Sequence, residues 1–203
     1  MQAEFSTKDL VDLFQALSTR MSAERDALCA LDGQIGDADH GIAMEQGMNA
    51  AHMAVRDIPG GTFQELFNAA AKGFLNAVGA SSGPLYATAF MRAGKVGGAH
   101  MMMSRSQGKA LIVAMADGIS HRGKAVVGQK TMLDAWIPAA DAASAGREWS
   151  DIDAAAQAGA EATSAMIATI GRAARLGKRS QGHLDPGAVS AAMIVQEYAR
   201  AFG

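Results

Sequence analysis

Three aspartates and a histidine, Asp32, Asp37, Asp39 and His40, fall in the glycine-punctuated stretch Leu31-Asp32-Gly33-Gln34-Ile35-Gly36-Asp37-Ala38-Asp39-His40-Gly41. Carboxylates at that density repel one another unless positive charge sits among them. Hard oxygen ligands suit Mg²⁺, which usually keeps some waters and often binds carboxylates and phosphates together. Asp32, Asp37 and Asp39 are therefore candidate ligands for one or two divalent cations, with Gly33, Gly36 and Gly41 letting the backbone turn sharply enough to bring them together. The alternative is a solvated turn with helix caps, Asp32 following one helix and Asp39 capping the next; capping accounts for Asp39 but not for all three. A calcium EF-hand fails, because counting from Asp32 puts Ala43 where the bidentate glutamate belongs.

Three further loops carry possible ligands. Gly79-Ala80-Ser81-Ser82-Gly83-Pro84 places small residues at a helix start, where free N–H groups and the helix dipole favour an anion; an ordinary serine cap explains it as well. His121-Arg122-Gly123-Lys124 through Lys130-Thr131-Met132 offers positive charge or a backbone lid, or simply complements a helix C-terminus. The last, Arg175 to Gly187, is long and basic. Arg179 there has the guanidinium fork that matches phosphate oxygens, against the alternative of a solvated loop. No Walker-type Gly-x-x-x-x-Gly-Lys-Ser/Thr run is present, nor any arrangement that marks Cys29 as a nucleophile.

The elements that must position these loops read as helices. Ala, Met and Leu dominate the apolar set, and no stretch alternates with the period of a strand. Breakers divide the chain into eight helical segments. The first runs from about Thr7 to Leu31, with Leu10, Phe14, Leu17, Met21 and Leu28 as its stripe. The second carries Met44, Met48 and Val55, and Thr62-Phe63-Gln64-Glu65 opens the third as a capping box. The fourth follows the serine turn and the fifth starts near Ser106. The sixth starts near Thr131, with a kink expected at Pro138. Ser150-Asp151-Ile152-Asp153 is read as the cap of the seventh, whose stripe would run through Ile152, Ala155, Met166 and Ile170. Asp185 and Pro186 start the eighth as N-cap and N1. Short connections favour antiparallel neighbours, so we expect an all-α, up-and-down, single domain over residues 1–203. In such an array the loops after helices 1, 3, 5 and 7 share one end. That end holds the aspartates, the serine turn, residues 121–130 and residues 171–185.

With 18 basic and 20 acidic residues, the chain's net charge of −2 gives no reason to expect nucleic acid or an acidic membrane as partner. A single cysteine, Cys29, fits a reducing compartment, where it serves as a small core residue. The start, Met1-Gln2-Ala3-Glu4-Phe5, lacks the pattern of a secretory signal, and no apolar run has the length of a membrane span. The expected location is the cytoplasm.

Four motifs in order then resemble the nucleotide-binding subunit of dihydroxyacetone kinase, the DhaL or DAK2-type family. They are Leu31 to Gly41; Gly79-Ala80-Ser81-Ser82-Gly83-Pro84-Leu85-Tyr86; Lys130-Thr131-Met132-Leu133-Asp134-Ala135; and Gly182-His183-Leu184-Asp185-Pro186-Gly187-Ala188. The resemblance implies an eight-helix antiparallel barrel that holds ADP or ATP at one end with two Mg²⁺ ions. By position, Asp32, Asp37 and Asp39 would ligate metal. His40, Gly41, Ile42 and Ala43 would lie along the nucleotide, Ser81 and Ser82 would hold phosphate, and Gly123, Met132, Arg179, Asp185, Pro186 and Gly187 would complete the pocket. No residue would act as a nucleophile. Ile42-Ala43 replace a usual polar pair, which leaves side-chain hydrogen bonds there unsupported, and Gln129 replaces a usual aspartate, so that loop would be held differently.

The resemblance further implies a separate sugar-binding subunit as partner, a phosphotransferase-system protein that recharges ADP in one branch, free ATP exchange in another, and a homodimer of this chain. The acceptor would be dihydroxyacetone. A tetrulose in the same role, or a nucleotide-loaded coregulator of a transcription factor, are the competing functions.

Overall fold

The computed structural model of the chain describes residues 4–79 and 81–203. Met1 to Ala3, from the reading of the N-terminus, and Ala80, from the serine turn, lie outside the described residues.

Nine α-helices are found among the described residues: α1 (Thr7–Ala23), α2 (Arg25–Ile35), α3 (His40–Arg56), α4 (Phe63–Ala77), α5 (Ser82–Gly97), α6 (Gly108–Gly123), α7 (Leu133–Ser144), α8 (Trp149–Ala162) and α9 (Pro186–Phe202). From α3 onward each packs on the next, α1 and α2 pack on α3, and α9 returns onto both α1 and α2, which closes the ring. This is the up-and-down helical barrel. The segment expected as one helix from Thr7 to Leu31 is broken at Glu24, whose backbone stands at φ −94°, ψ 1°, with the Arg20 guanidinium 3.2 Å from its carboxylate. No proline or glycine marks that break, so periodicity runs straight through it. Counting α1 and α2 as one bent element restores the eight.

Local chemistry sets most of the other boundaries. Ser6 and Asp9 form a capping box for α1, and Thr62 and Glu65 form one for α4. Asp185 caps α9 through the Ala188 N–H at 2.8 Å, with Pro186 in the first turn. Pro138 lies inside α7, which continues through it. The carbonyl of Asp134, which a residue other than proline at 138 would bond, is the point where α8 comes close: a Cβ on Gly159 would meet it at 2.0 Å.

Two expectations fail in the last third of the chain. The cap of α8 is Glu148, without a side-chain hydrogen bond, rather than the Ser150 segment, and α8 ends at Ala162 instead of reaching Ile170. The Thr163 hydroxyl turns back onto the Ala160 carbonyl at 2.5 Å, and two 3₁₀ stretches follow, Thr163–Ala165 and Ala173–Ser180. Distant partners take over the backbone donors: Ala168 N–H bonds Ser180 Oγ, Thr169 N–H bonds the Gln129 carbonyl, and Asp185 N–H bonds Thr163 Oγ1. Two short strands, β1 (Glu4–Ser6) and β2 (Met102–Ser104), pair antiparallel, where no strand was expected. Three residues per strand are too few for alternation to register.

The barrel is filled, not hollow. Phe14 packs edge-on against Phe67 and Phe90, and Phe74 packs at a tilt against Tyr86, all fully buried. At the end where β1 and β2 lie, Phe5 stacks on Phe202, which stacks on Trp149. The opposite end is left to the loops that carry the aspartates.

Candidate functional site

Asp32 lies within the last turn of α2 rather than after the helix, and its side chain is buried. One of its carboxylate oxygens accepts the backbone N–H groups of Asp39 at 3.0 Å and His40 at 3.3 Å. The loop between them is folded tightly. Ala38 takes a left-handed φ of 63°, and a Cβ on Gly36 would stand 2.1 Å from Asp32 Oδ1. Gly41 allows α3 to cross α2 in contact, since a Cβ there would meet the Arg25 carbonyl oxygen at 2.0 Å. As a result, carboxylate oxygens of Asp32, Asp37 and Asp39 all lie within 4.8 Å of one another. Asp39 occupies the N-cap position of α3 without making a capping hydrogen bond, so the cap alternative does not account for its side chain.

The electrostatics of the triad favour a cation. Burial, followed by the charges of Asp37 and Asp32, raises the Asp39 pKa above the ordinary carboxylate value, while Arg172 opposes that rise. Arg172 forms an ion pair with Asp37. Three convergent carboxylates, one of them fixed by two backbone donors, form a donor set of the hard-oxygen type that suits Mg²⁺. Burial also pushes the His40 imidazole below its usual pKa, against the pull of Asp32.

The loops expected to share this end do meet. A cleft of about 240 Å³ is lined by the aspartate loop, by Ser81, Ser82 and Leu85 at the start of α5, by Lys130 to Met132 before α7, by Ile170 to Ala173, and by Asp185 to Gly187 at the start of α9. Lys130 is buried, and its ammonium donates to the carbonyls of Thr163, at 2.5 Å, and His183. Burial lowers its pKa, while Asp185 and Asp134 raise it. Asp134 ties down the same loop by accepting Gly128 N–H at 2.5 Å and Thr131 N–H at 2.7 Å. Gln129 holds it too, through its side-chain carbonyl on Val126 N–H at 3.0 Å. Burial pushes the Asp185 carboxyl up to about 7, although its bond to Ala188 N–H and the nearby Lys130 charge pull the other way.

An adjoining apolar cavity of about 370 Å³ lies between α5, α6 and α7, lined by Pro84, Leu85, Ile119, Ala125 and Met132, with Gly123 at its edge. Of the residues singled out from the sequence, Asp32, Asp37, Asp39, His40, Ala43, Ser81, Ser82, Met132, Asp185, Pro186 and Gly187 line the first cleft, and Ser81, Gly123 and Met132 the second. Gly41, Ile42 and Arg179 line neither. Gly41, in the first turn of α3, is buried against α2, and the Ile42 side chain is exposed. The first-turn N–H groups of both have no protein acceptor among the described residues. Arg179 is exposed at the end of the second 3₁₀ stretch, and Arg172 supplies the guanidinium on the cleft. Arg172 is the cleft residue that sequence reasoning missed, because reading Ile170 as part of a helical stripe hid it; Lys130 falls in a loop expected to offer positive charge, but its burial on two carbonyls was not foreseen.

A closed antiparallel helical barrel with a carboxylate triad facing serine and basic loops at one end has the donor set of a candidate site for a divalent cation beside an anion. Residues 34–200 match the DAK2 domain, and the chain belongs to that family. It is 37% identical over 175 residues to the ADP-binding subunit DhaL of PEP-dependent dihydroxyacetone kinase 1 from Listeria innocua, covering 86% of each chain. It is 39% identical over 173 residues to the ADP-binding subunit DhaL of the PTS-dependent dihydroxyacetone kinase of Lactococcus lactis, covering 83% of this chain and 84% of the relative. The crystal structure of the C. freundii dihydroxyacetone kinase in complex with AMP-PNP and Mg²⁺ matches with a TM-score of 0.73 at 25% identity. That match covers 94% of this chain, which spans about a third, 33%, of the C. freundii enzyme. Among the described residues, no helix is long and apolar enough to cross a membrane.

Proposed function

We propose that residues 1–203 form one nucleotide-binding domain, the ADP- or ATP-binding subunit of a dihydroxyacetone kinase. It holds Mg-nucleotide and passes the terminal phosphoryl group to a short ketose bound on a separate subunit. The observation that carries this reading is the convergence of Asp32, Asp37 and Asp39 opposite Ser81, Ser82 and Lys130 to Met132, in a chain alignable over most of its length with ADP-binding subunits.

Asp32, Asp37 and Asp39 hold the metal, two ions in our reading. When bound, Mg²⁺ neutralises phosphate oxygens and supplies electrostatic stabilisation to the transferring group. The chain itself binds and orients. Gly41 and Ile42 line neither cavity themselves, but their N–H groups, without protein acceptors among the described residues, give the start of α3 between His40 and Ala43 the character of a helix N-terminus that favours an anion, with no polar side chain needed at Ile42 or Ala43. Ser81 and Ser82 bond phosphate, and Arg172 complements its charge, with Arg179 available from outside the cleft. Met132 and Gly123 border the apolar cavity, which takes the flat base. Asp185 to Gly187 and His40 form the remaining wall. No residue serves as nucleophile, so catalysis is positioning plus electrostatics. A sugar-binding subunit supplies the acceptor, and a phosphotransferase-system protein recharges ADP in place.

The test pairs ADP binding with turnover. Wild-type protein is expected to bind ADP only with Mg²⁺ and to support dihydroxyacetone phosphorylation when the sugar-binding subunit and a phosphoryl donor are present. Asp37→Ala is expected to lose Mg²⁺-dependent binding with unchanged helix content. Unaltered ADP affinity in that variant refutes the metal assignment.

A further inference from the structure

His40 and Ser190 come from opposite ends of the chain and meet under the aspartates. His40 Nε2 lies 2.8 Å from Ser190 Oγ, and the Ser190 hydroxyl lies 3.1 Å from the Gly187 carbonyl, to which it donates. Ser190 is fully buried on α9. A bond from a serine to the carbonyl three residues earlier is common in a first helical turn. What is specific here is the imidazole on the other side of the same oxygen.

A serine hydroxyl has one proton. With that proton committed to Gly187, Oγ is left to accept, so the ring must donate through Nε2 and keep its lone pair on Nδ1. Nδ1 has no protein partner among the described residues and is not one of the buried unpartnered atoms, so it opens to the cleft that His40 lines. A lone pair there is repelled by phosphate oxygen and accepts from an O–H.

We propose that Ser190 is a positioning residue that fixes His40 as the Nε2–H tautomer, so that Nδ1 presents a hydrogen-bond acceptor to an O–H donor of the bound nucleotide complex. The donor is a ribose hydroxyl or a metal-bound water. This rests on reading the cleft as the nucleotide site. Because Gly187 belongs to the turn that starts α9, the same hydroxyl also fixes the distance between that wall and α3.

The test begins on nucleotide-free protein labelled with ¹⁵N at histidine. Long-range ¹H–¹⁵N spectra of the wild type should show His40 with a protonated Nε2 and a lone-pair Nδ1; a protonated Nδ1 overturns the proposal without bearing on nucleotide binding. Ser190→Ala should lose the single-tautomer signature and weaken ADP binding at saturating Mg²⁺ by roughly three- to tenfold, the value of about one hydrogen bond. Ser190→Thr should restore both. Wild-type spectra and affinity retained in Ser190→Ala would also overturn it. Analogues of ADP lacking the 2′- or the 3′-hydroxyl separate the donors. If a ribose hydroxyl donates, the wild type discriminates against one analogue and Ser190→Ala does not. If metal-bound water donates, neither protein discriminates and the defect appears as a raised Mg²⁺ requirement. Failure of the wild type to bind Mg-ADP at all overturns the nucleotide reading, while the tautomer spectra still decide the role of Ser190.

Discussion

Asp32 accepts the backbone N–H of Asp39 at 3.0 Å, so one carboxylate of the triad sets the backbone position of another. The same oxygen also takes the His40 N–H, which makes Asp32, a proposed metal ligand, the clasp of its own loop as well. Asp37 makes no such bonds; its partner is the exposed Arg172. The two aspartates should therefore differ in what they do without metal. Asp32→Ala is expected to cost about 1.5–3 kcal/mol, the range for hydrogen bonds to a charged group. Asp37→Ala should stay within about 1 kcal/mol, as for a surface ion pair. Urea unfolding in chelator reads both, and equal losses would mean that Asp32 does not clasp the loop.

Gly36 offers a way to disturb the triad without removing a ligand. A Cβ at that position would lie 2.1 Å from Asp32 Oδ1 and 3.0 Å from the Asp32 carbonyl oxygen. The side-chain oxygen must swing away, and with it goes the geometry that Mg²⁺ demands. Gly36→Ala is expected to lower Mg²⁺-dependent ADP affinity by about tenfold or more, as a ligand misplaced by a few tenths of an ångström would, with a stability loss below about 2 kcal/mol. Calorimetric titration beside a thermal melt checks this, and normal affinity in the folded variant would count against Asp32 as a ligand.

The contrast between these residues shows what was legible in the sequence. The triad, the serine turn and the Asp185-Pro186-Gly187 start of α9 carry their chemistry in residue type and local spacing, and an up-and-down array was enough to place them at one end. The segment from Thr163 to Leu184 was not legible. Its backbone groups are satisfied by Gln129, Ser180 and Ser164, which are partners that no local period reveals. Arg172 was lost with it, and Arg179 was the more visible arginine only because a basic run surrounds it. Lys130 was visible as a positive charge in a loop at this end, but its burial was not, because burying its ammonium depends on carbonyls 33 and 53 residues away. The break at Glu24 left no trace, since neither proline nor glycine makes it.

Arg172 should show two opposite effects. In the protein alone it holds Asp37, so its removal frees a carboxylate for Mg²⁺. With ADP present, its guanidinium complements phosphate, so its removal costs affinity. We expect Arg172→Ala to bind Mg²⁺ alone about 1.4- to fivefold more tightly, the equivalent of the ~0.2–1 kcal/mol of an exposed pair, and to bind Mg-ADP more weakly. Raising the salt should shrink both effects. Equilibrium dialysis with and without ADP decides, and changes of the same sign in the two titrations would exclude a shared role at Asp37 and phosphate. Arg179→Ala, measured in parallel, should have the smaller effect on Mg-ADP, because its side chain is exposed and lines neither cavity.

Asp185 gives the site a pH dependence whose sign can be worked out. Burial raises its carboxyl from 3.8 to about 7 in the folded chain. A folded state that holds a proton more tightly than the unfolded state loses stability as pH rises through the window between those values. The rise corresponds to at most about 4 kcal/mol, taking about 1.4 kcal/mol per pH unit. Asparagine keeps the cap on Ala188, being as good an N-cap as aspartate, and has no proton to lose. In chelator and without nucleotide, Asp185→Asn should therefore match the wild type near pH 4. It should gain on the wild type steadily up to pH 7 and hold a constant advantage above it. Urea midpoints of the two proteins at pH 5 and pH 8 measure the difference directly. A variant less stable at pH 8 than at pH 5 relative to the wild type would show instead that the ionised carboxylate, held by Ala188 N–H and the Lys130 charge, is the form the fold prefers.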